Sequence, residues 1–335
     1  MVMPQLSSLT VRGYRSIKEL NEFPLMNLNI LTGINGVGKS NFLSFFTLAS
    51  ALERRELQDF VEDQGGADAI LFLGSRVTSG ISAAFDFGDI GYRFELVPTK
   101  ENRVAFKSEH SELLDVYSSV QPRLLLGADH GESNLRASSD NYSPTVCRAL
   151  SQFRVYHFRD LGNLAKDARS IGETGPIVLK EDASNLGAVL WELSKHYPGE
   201  YAQIVDTVRH IAPFFDDFAV GEDRYGSVIL KWAKEGSTAP LQDLHTLSFG
   251  LLRFICLVTL LLLPEKSKAP TILIDELELG IHPMAVRVLA EILSHVSRST
   301  QLIVSTLSAE LLNEFEPGKV IMADLAGDAS VFRRF

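Results

Sequence analysis

The G-I-N-G-V-G-K-S run at residues 33–40 constrains the fold of this chain more than any other stretch. It follows an apolar segment, residues 28–32, that is typical of a buried strand, and it precedes a helical pattern of apolar residues. Its three glycines let successive backbone N–H groups converge on phosphate oxygens. Lys39 supplies a positive charge for the β- and γ-phosphates, and Ser40 supplies a hydroxyl for Mg²⁺. The run therefore predicts a phosphate-binding loop.

A glycine turn before a helix is also an ordinary connection, and the pattern G-x4-G-K-S arises by chance. The context favours nucleotide binding, because the loop joins an apolar strand to a helix with buried-type spacing at residues 42–49. The candidate nucleotide-binding residues of the loop are Gly33, Asn35, Gly36, Val37, Gly38, Lys39, Ser40 and Asn41.

A second apolar segment, residues 270–274, ends in the carboxylates of Asp275 and Glu276. A strand that merely ends in solvent would also carry acidic residues. Next to a phosphate loop, however, the pair suits Mg-nucleotide hydrolysis, in which the first carboxylate holds the metal and the second polarises the attacking water. Ser40 and Asp275 are therefore the candidate metal ligands, and Lys39 and Glu276 are the candidate catalytic residues.

Three further positions have both a structural and a functional interpretation. Ser248 is placed as the N-cap of a helix whose first turn contains Gly250, which as pure structure is a capped helix start. Arg15 follows a predicted strand that begins at Leu9; it would bind a phosphate beside a nucleotide, or be a solvated surface group at a strand end. His157 lies in an aromatic segment and is interpreted as a packed core or boundary residue rather than a catalytic one.

Strand and helix patterns alternate along much of the chain and predict an α/β fold whose parallel strands gather the site residues at their carboxyl ends. The predicted elements are antiparallel strands at residues 81–87, 92–97 and 103–108, an irregular surface at 110–145, a short strand at 153–158, helices within 185–215, a strand at 227–233, buried helices beginning near 249 and 283, and a strand at 301–308.

Composition narrows the class of protein. The chain has 335 residues, of which 45% are hydrophobic, and this is ordinary for a globular protein with a full core. A net charge of −10 argues against a general nucleic-acid coat, although a local basic groove formed on assembly is compatible with it. The two cysteines are far apart and lack C-x-x-C spacing, so a zinc site and a disulfide framework are not indicated and a cytoplasmic location is expected. No signal-peptide pattern opens the chain, and the apolar run at residues 254–263 is too short to span a membrane.

Taken together, the motifs resemble an ABC-type ATPase head of the SMC and RecF kind, and more narrowly the bacterial AAA family ATPases near the OLD-like and RecF-like proteins. The stretches that carry the resemblance are residues 33–41, 247–253, 271–283 and 301–308. The resemblance implies a single P-loop NTPase head over residues 1–335, with a mixed sheet, an antiparallel β-subdomain and a helical lobe. Lobe I would comprise about residues 1–125 and 268–335, and lobe II, which carries the signature motif, about residues 126–267.

In such heads two subunits enclose two ATP molecules. The resemblance therefore implies an ATP-dependent homodimer, with ATP and Mg²⁺ as cofactors, and assigns Ser248 and Gly250 to the γ-phosphate of the nucleotide in the opposite subunit. It also assigns Arg15 to a phosphate contact. The stretch between residues 40 and 247 is too short for a long coiled-coil arm, and no carboxylate-rich nuclease domain follows residue 308, so an effector protein is the expected partner.

Four residues depart from the family pattern. Phe249 and Leu251 replace polar residues of the signature motif, and Leu277 follows Glu276 where many such heads have proline. Leu307 stands at the switch position, which is commonly His or Gln. A leucine side chain cannot hydrogen-bond to a phosphate or to an attacking water, so slow hydrolysis is compatible with this sequence.

Three functions are open at this point. The first is an ATPase whose dimer closes on ATP, reopens after hydrolysis and gates a partner, in a setting of phage defence or genome maintenance that the resemblance implies. The second is a nucleotide-sensing scaffold that hydrolyses little, which Leu307 motivates. The third is a RecF-like DNA clamp, which the charge of −10 disfavours.

Overall fold

The computed structural model describes residues 5–114, 123–162, 164, 177–222 and 228–335. In this part of the chain the strands, in order, are β1 (Ser8–Tyr14), β2 (Ile17–Pro24), β3 (Leu28–Thr32), β4 (Ile81–Asp86), β5 (Ile90–Pro98), β6 (Val104–Leu113), β7 (Arg123–Gly127), β8 (Val155–Tyr156), β9 (Phe215–Glu222), β10 (Val228–Lys234), β11 (Gln242–Asp243), β12 (Thr271–Ile274), β13 (Gln301–Ser305), β14 (Val320–Ala326) and β15 (Ala329–Arg334). The helices are α1 (Lys39–Arg54), α2 (Leu57–Asp63), α3 (Ala67–Ile70), α4 (Ser143–Leu150), α5 (Leu186–His196), α6 (Pro198–Ile211), α7 (Phe249–Leu261), α8 (Pro283–Val296) and α9 (Ala309–Leu312).

A six-stranded mixed sheet lies at the centre of the fold, in the order β15-β14-β3-β13-β12-β8. All neighbouring pairs are parallel except β14 and β15. Alternate residues of its strands enter two different hydrophobic clusters: Leu31 and Ile303 belong to one, and Ile30 and Val304 to the other. Because both faces are covered, every residue of β3, β12 and β13 is buried, and the predicted parallel arrangement of an α/β fold is confirmed.

An antiparallel sheet in the order β2-β1-β4-β5-β6-β7 packs beside the mixed sheet, with α1 between them. The apolar face of α1 is aromatic: the rings of Phe45 and Phe85 stack with centroids 5.6 Å apart, and Phe46 meets Phe153 at 5.1 Å. Strands β4, β5 and β6 form the predicted antiparallel meander. This packing fixes the direction of α1 and therefore the position of the loop that precedes it.

Helices α5 to α8 cover the other face of the mixed sheet, together with a small sheet in the order β11-β10-β9. Helix α7 is almost wholly buried after its first turn, as its apolar sequence predicts. None of the helices in the described ranges is long and apolar enough to cross a membrane. The division into lobe I and lobe II stays a prediction. Helix α4, which was assigned to lobe II, packs into the hydrophobic cluster that contains α1 of lobe I.

Two predictions of local structure were wrong. The region expected to be an irregular surface, residues 110–145, contains the end of β6, strand β7 and the start of α4, and residues 115–122 lie outside the described part of the chain. Four of its polar residues are buried, namely Ser111, Glu112, Ser133 and Ser143, and the N–H of Asn134 donates at 2.9 Å to the buried carboxylate of Glu109, just before the region. For these residues, polar composition did not indicate exposure.

The strand expected at residues 153–158 is reduced to Val155–Tyr156, because Phe158 has a left-handed backbone with φ of 44° and ends the extended segment. The strand expected at 227–233 is observed as β10, and Ser227 lies outside the described residues. The β14–β15 hairpin was not predicted at all.

Candidate nucleotide site

The phosphate-loop candidate joins β3 to α1, as predicted. Its backbone is left-handed at Gly33, Gly36 and Gly38, with φ of 146°, 83° and 100°. A Cβ atom at Gly38 would lie 2.1 Å from Ser330 Oγ and 2.6 Å from Ser16 Oγ. Glycine is therefore required at Gly38 both by its dihedral angle and by the close approach of β15 and the β1–β2 turn.

The Lys39 ammonium is turned into the loop. Its Nζ donates to the carbonyl oxygens of Gly33 at 2.6 Å and Ile34 at 2.9 Å. Burial lowers the pKa of Lys39 below that of an exposed lysine, and the nearby carboxylates of Asp275 and Glu276 oppose this shift. The ammonium is thus held against the backbone of the loop, where it could pair with an incoming phosphate.

Asp275 lies directly after β12 and its side chain is only 1% exposed. Its Oδ2 accepts from Ser40 Oγ at 3.1 Å, and its Oδ1 accepts from Ser305 Oγ. Burial alone would raise the pKa of this carboxyl, but the His157 ring, with Nδ1 3.4 Å from Oδ2, and the hydrogen bonds from Ser305 and Ser40 lower it to about 2. An ionised carboxylate beside a hydroxyl is a pair of hard oxygen donors, so the two predicted ligands fit Mg²⁺.

Glu276 follows with a left-handed backbone, φ of 52°, and its N–H donates to Ser305 Oγ at 2.8 Å. Its carboxylate is 30% exposed, so water can reach it. The same carboxylate pairs with Arg159, whose Nη2 lies 3.1 Å from Glu276 Oε2 and 3.2 Å from Asp275 Oδ2. The two acidic residues of the motif are therefore adjacent to the loop and share one cation.

A fully buried arginine in α7 holds the backbone beneath both carboxylates. The guanidinium of Arg253 donates to the carbonyl oxygens of His157 and Phe158, which follow β8, and of Asp275 and Glu276, which follow β12. Burial lowers the pKa of Arg253 to about 10, which leaves it charged at neutral pH. Helix α7 is therefore tied directly to the strand ends that present the acidic pair.

Arg15 lies against the first turn of α1 rather than on an open surface. Its Nη1 is 3.4 Å from Asn41 Oδ1, and its Nη2 donates to the side-chain oxygen of Gln64. Asn41 in turn donates to Ser16 Oγ at 2.8 Å. The structure thus brings Arg15 and Asn41 together at the edge of the phosphate loop, and their contact with a phosphate stays a prediction.

Ser248 and Gly250 lie at the start of α7, where Ser248 Oγ accepts from the N–H of Leu251 at 3.3 Å and acts as the predicted N-cap. A Cβ atom at Gly250 would lie 2.0 Å from the carbonyl oxygen of Gly280. Glycine therefore lets the helix start approach the loop after β12. Within one copy of the described chain, no hydrogen bond joins Ser248 or Gly250 to the phosphate loop.

The switch position is shaped by a third carboxylate. Glu278 accepts from Thr306 Oγ1 at 2.7 Å and from the N–H of Leu307 at 2.6 Å. The Leu307 side chain is 44% exposed and brings no polar atom to the site.

Sequence reasoning missed Arg159 and Arg253 as members of the site. Arg159 had a weak signal, since it lies two residues after His157 near the end of a predicted strand. Arg253 lies within a quoted motif, but its partners are backbone carbonyls far away in sequence, which no motif encodes.

Residues 28–313 match the family model described as "AAA domain, putative AbiEii toxin, Type IV TA system". The chain belongs to this family. The matched range of the AAA domain contains the phosphate loop, the start of α7, the acidic pair and the switch position. No curated protein matches the chain.

Solved structures show the same fold. An Smc head bound to the C-terminal winged-helix domain of ScpA superimposes with a TM-score of 0.65 at 14% identity, covering 99% of this chain and 98% of that one. The Smc head with an extended coiled coil from Pyrococcus furiosus, bound to the C-terminal domain of ScpA, gives a TM-score of 0.64 at 12% identity, covering 99% and 96%. The predicted fold class is confirmed: this member of the AAA domain family has the fold of an ABC/SMC-like ATPase head.

Proposed function

We propose that this head binds Mg-ATP, hydrolyses it in a site that a second copy of the chain completes, and thereby gates a partner protein. One observation carries the proposal. Lys39, Ser40 and the acidic pair lie together around the loop, whereas Ser248 and Gly250 make no hydrogen bond to the loop of their own chain. A second copy facing the first would supply Ser248 to the open side of the site.

Each residue has a distinct part in this proposal. Lys39 and the loop N–H groups bind the phosphates, and Arg15 and Asn41 extend that contact. Ser40 and Asp275 hold Mg²⁺, which when bound neutralises charge on the phosphate oxygens. Glu276 accepts the proton of the attacking water.

The wider role is part of the same proposal. Both solved Smc heads hold a domain of another protein, ScpA, and this supports an effector partner for the present chain. We place its action in phage defence or DNA maintenance, in the cytoplasm, with lobe II carrying Ser248 and Gly250. Two unpaired cysteines, Cys147 and Cys256, are compatible with a reducing compartment.

The test is the mass in solution of the wild type and of Glu276→Gln, with and without Mg-ATP, measured alongside phosphate release. We expect ATP to double the mass, the variant to stay dimeric, and its turnover to fall by about 10²-fold, the usual effect of losing an acid–base group. Unchanged turnover in Glu276→Gln would contradict the role of that carboxylate. A monomer under all conditions would contradict the composite site.

A second function, a nucleotide sensor with little hydrolysis, is favoured by the apolar Leu307 at the switch position. It predicts ATP-dependent dimerisation of the wild type without measurable phosphate release. A DNA clamp is tested in the same samples, because phosphate contacts would make ATP-dependent DNA binding weaken steeply with salt.

A further inference from the structure

A cation of the chain itself occupies the outer side of the acidic pair. Nη2 of Arg159 lies 3.2 Å from Asp275 Oδ2 and 3.1 Å from Glu276 Oε2, so a single nitrogen bridges two different carboxylates. The Arg159 side chain is 49% exposed, whereas that of Asp275 is almost wholly buried. The guanidinium thus covers the pair from the solvent side.

This position has an electrostatic consequence for any metal ion. Two neighbouring carboxylates repel each other, and the buried one cannot be screened by water, so a cation within 4 Å stabilises both. A divalent cation held by Asp275 would need an oxygen that Arg159 already engages, and the two cations would repel each other at that distance. Metal binding and the Arg159 contact therefore compete.

The described residues offer little else to a free metal ion. They contain no group of three or more His, Cys, Asp and Glu side chains arranged to hold one. Asp275 Oδ2 also accepts from the Ser40 hydroxyl and lies 3.4 Å from His157 Nδ1, and the Lys39 ammonium lies nearby as a second positive charge. Because two positive side chains, Arg159 and Lys39, lie beside so few metal ligands, binding of a metal ion without nucleotide is disfavoured.

We propose that Arg159 is the internal counter-ion of the acidic pair, which excludes free divalent cations and is displaced only when the metal arrives with a nucleotide. The proposal rests on the proposed function, in that the site takes a metal–nucleotide complex. A triphosphate supplies negative charge for the Lys39 ammonium and lowers the cost of moving the guanidinium away from the carboxylates. Arg159 is a positioning residue here, because in the part of the chain that the structure describes its ion pairs are with Asp275 and Glu276.

The backbone around Arg159 allows such an exchange by side-chain movement alone. The carbonyl oxygens of His157 and Phe158, immediately before it, are held by the buried guanidinium of Arg253. The half-exposed Arg159 side chain has several rotatable bonds beyond this anchored segment. Displacement of the guanidinium therefore requires no movement of β8 or β12.

The experiment measures Mn²⁺ binding to the nucleotide-free protein, by electron paramagnetic resonance of the free ion, for wild type and Arg159→Gln. We expect the variant to bind Mn²⁺ at least about tenfold more tightly, since one positive charge is removed next to the metal ligands. Arg159→Lys keeps the charge and is expected to stay close to wild type. Arg103→Gln removes the same charge from an exposed pair with Glu62 and is the matched control, with no expected change.

Two further variants fix the interpretation. Combining Arg159→Gln with Asp275→Asn should abolish the gained Mn²⁺ affinity, which locates the metal at this pair. Arg159→Ala repeats the test should the glutamine variant not fold. Equal Mn²⁺ affinity in wild type and in the folded Arg159 variant would overturn the proposal, as would a gain that survives Asp275→Asn.

A separate titration of wild type with Mg-ATP distinguishes this failure from failure of the proposed function. If wild type binds ATP and Arg159→Gln shows no gain in Mn²⁺ affinity, the counter-ion proposal is overturned and the nucleotide site stands. If Arg159→Gln gains Mn²⁺ affinity and wild type does not bind ATP, the counter-ion role is supported and the proposed nucleotide site is overturned.

Discussion

Asp275 keeps its negative charge although its side chain is almost fully buried, and this has a measurable effect on stability. Its pKa of about 2 lies below that of an unfolded aspartate, so ionisation favours the folded state. We expect Asp275→Asn to lower the free energy of unfolding by about 2 kcal/mol at pH 7. The measurement is urea denaturation of both proteins without nucleotide.

The sign of the pH dependence follows from the direction of the shift. The contribution of Asp275 is fully present above about pH 4, the pKa of the unfolded group, and is lost as the pH falls through the folded pKa near 2. The difference between wild type and Asp275→Asn should therefore shrink between pH 4 and pH 2. A difference that is independent of pH over this range would exclude the ionised carboxylate as its cause.

Some residues of the candidate site could be predicted from the sequence and others could not. Lys39, Ser40 and Asp275 were predictable because each stands at a fixed place next to an apolar strand, and the structure brings the three together. Arg159 and Arg253 were not, because their partners are reached only through the fold. A guanidinium that binds backbone carbonyls leaves no pattern of residue types.

At the scale of elements, the contact between α7 and the loop after β12 depends on the absence of one side chain. Gly250→Ala would place a Cβ atom 2.0 Å from the carbonyl oxygen of Gly280, so the helix start or the loop must shift. We expect a destabilisation of about 1–3 kcal/mol, the usual cost of overpacking, in thermal or urea denaturation.

The chain offers a matched control for this change. Gly199 is the second residue of α6, as Gly250 is of α7, and a Cβ atom there meets nothing within 4 Å. Gly199→Ala should leave stability unchanged or raise it by up to about 1 kcal/mol, since alanine favours a helix. Equal effects of the two substitutions would show that the approach to Gly280 is unimportant.

The link between α7 and the two strand ends depends on Arg253. Arg253→Met would leave four carbonyl oxygens without this donor in a buried site, and we expect a loss of about 3–5 kcal/mol. Turnover should fall as well in any folded protein, because Glu276 would lose support for its left-handed backbone.

Arg209 in α6 is the control for Arg253. It also donates to a backbone carbonyl, that of Asp216, but its side chain is 41% exposed and water can replace it. Arg209→Met should cost less than about 1 kcal/mol and leave phosphate release unchanged. If Arg253→Met lowered the free energy of unfolding by as little, Arg253 would not be the link between α7 and the two strand ends.

Element boundaries could be predicted where a single physical signal dominates. The buried strands β3, β12 and β13 are short apolar runs, and α7 begins at a serine N-cap, so each was placed to within a few residues. The β14–β15 hairpin was missed, because its outer strand, A-S-V-F-R-R, has no regular alternation of polar and apolar residues and ends in two arginines. Its place in the mixed sheet is decided by pairing with β3, nearly three hundred residues earlier.

At the scale of the whole molecule, that pairing makes the last strands part of the nucleotide site. Removing residues 316–335 would leave β3 without its β14 neighbour and the Gly38 turn without Ser330. We expect loss of cooperative unfolding and of ATP binding, because the stability of a domain, about 5–15 kcal/mol, is small against the loss of two strands. Circular dichroism melts and ATP titration check this.

Removal of Phe335 alone is the control, because this residue is 68% exposed. The melting temperature and ATP affinity should then stay at the wild-type values. A folded, ATP-binding protein without residues 316–335 would contradict the structural part assigned to the hairpin.

The same pairing sets an order of events during protein synthesis. On the ribosome, β3 is made long before its two neighbours in the sheet, β13 on one side and β14 on the other. Until β14 has been made, at least one edge of β3 is unpaired and open to association with other nascent chains. The phosphate loop therefore gains its final shape only after β14 and β15 have been made, and a nascent chain that lacks them cannot respond to nucleotide.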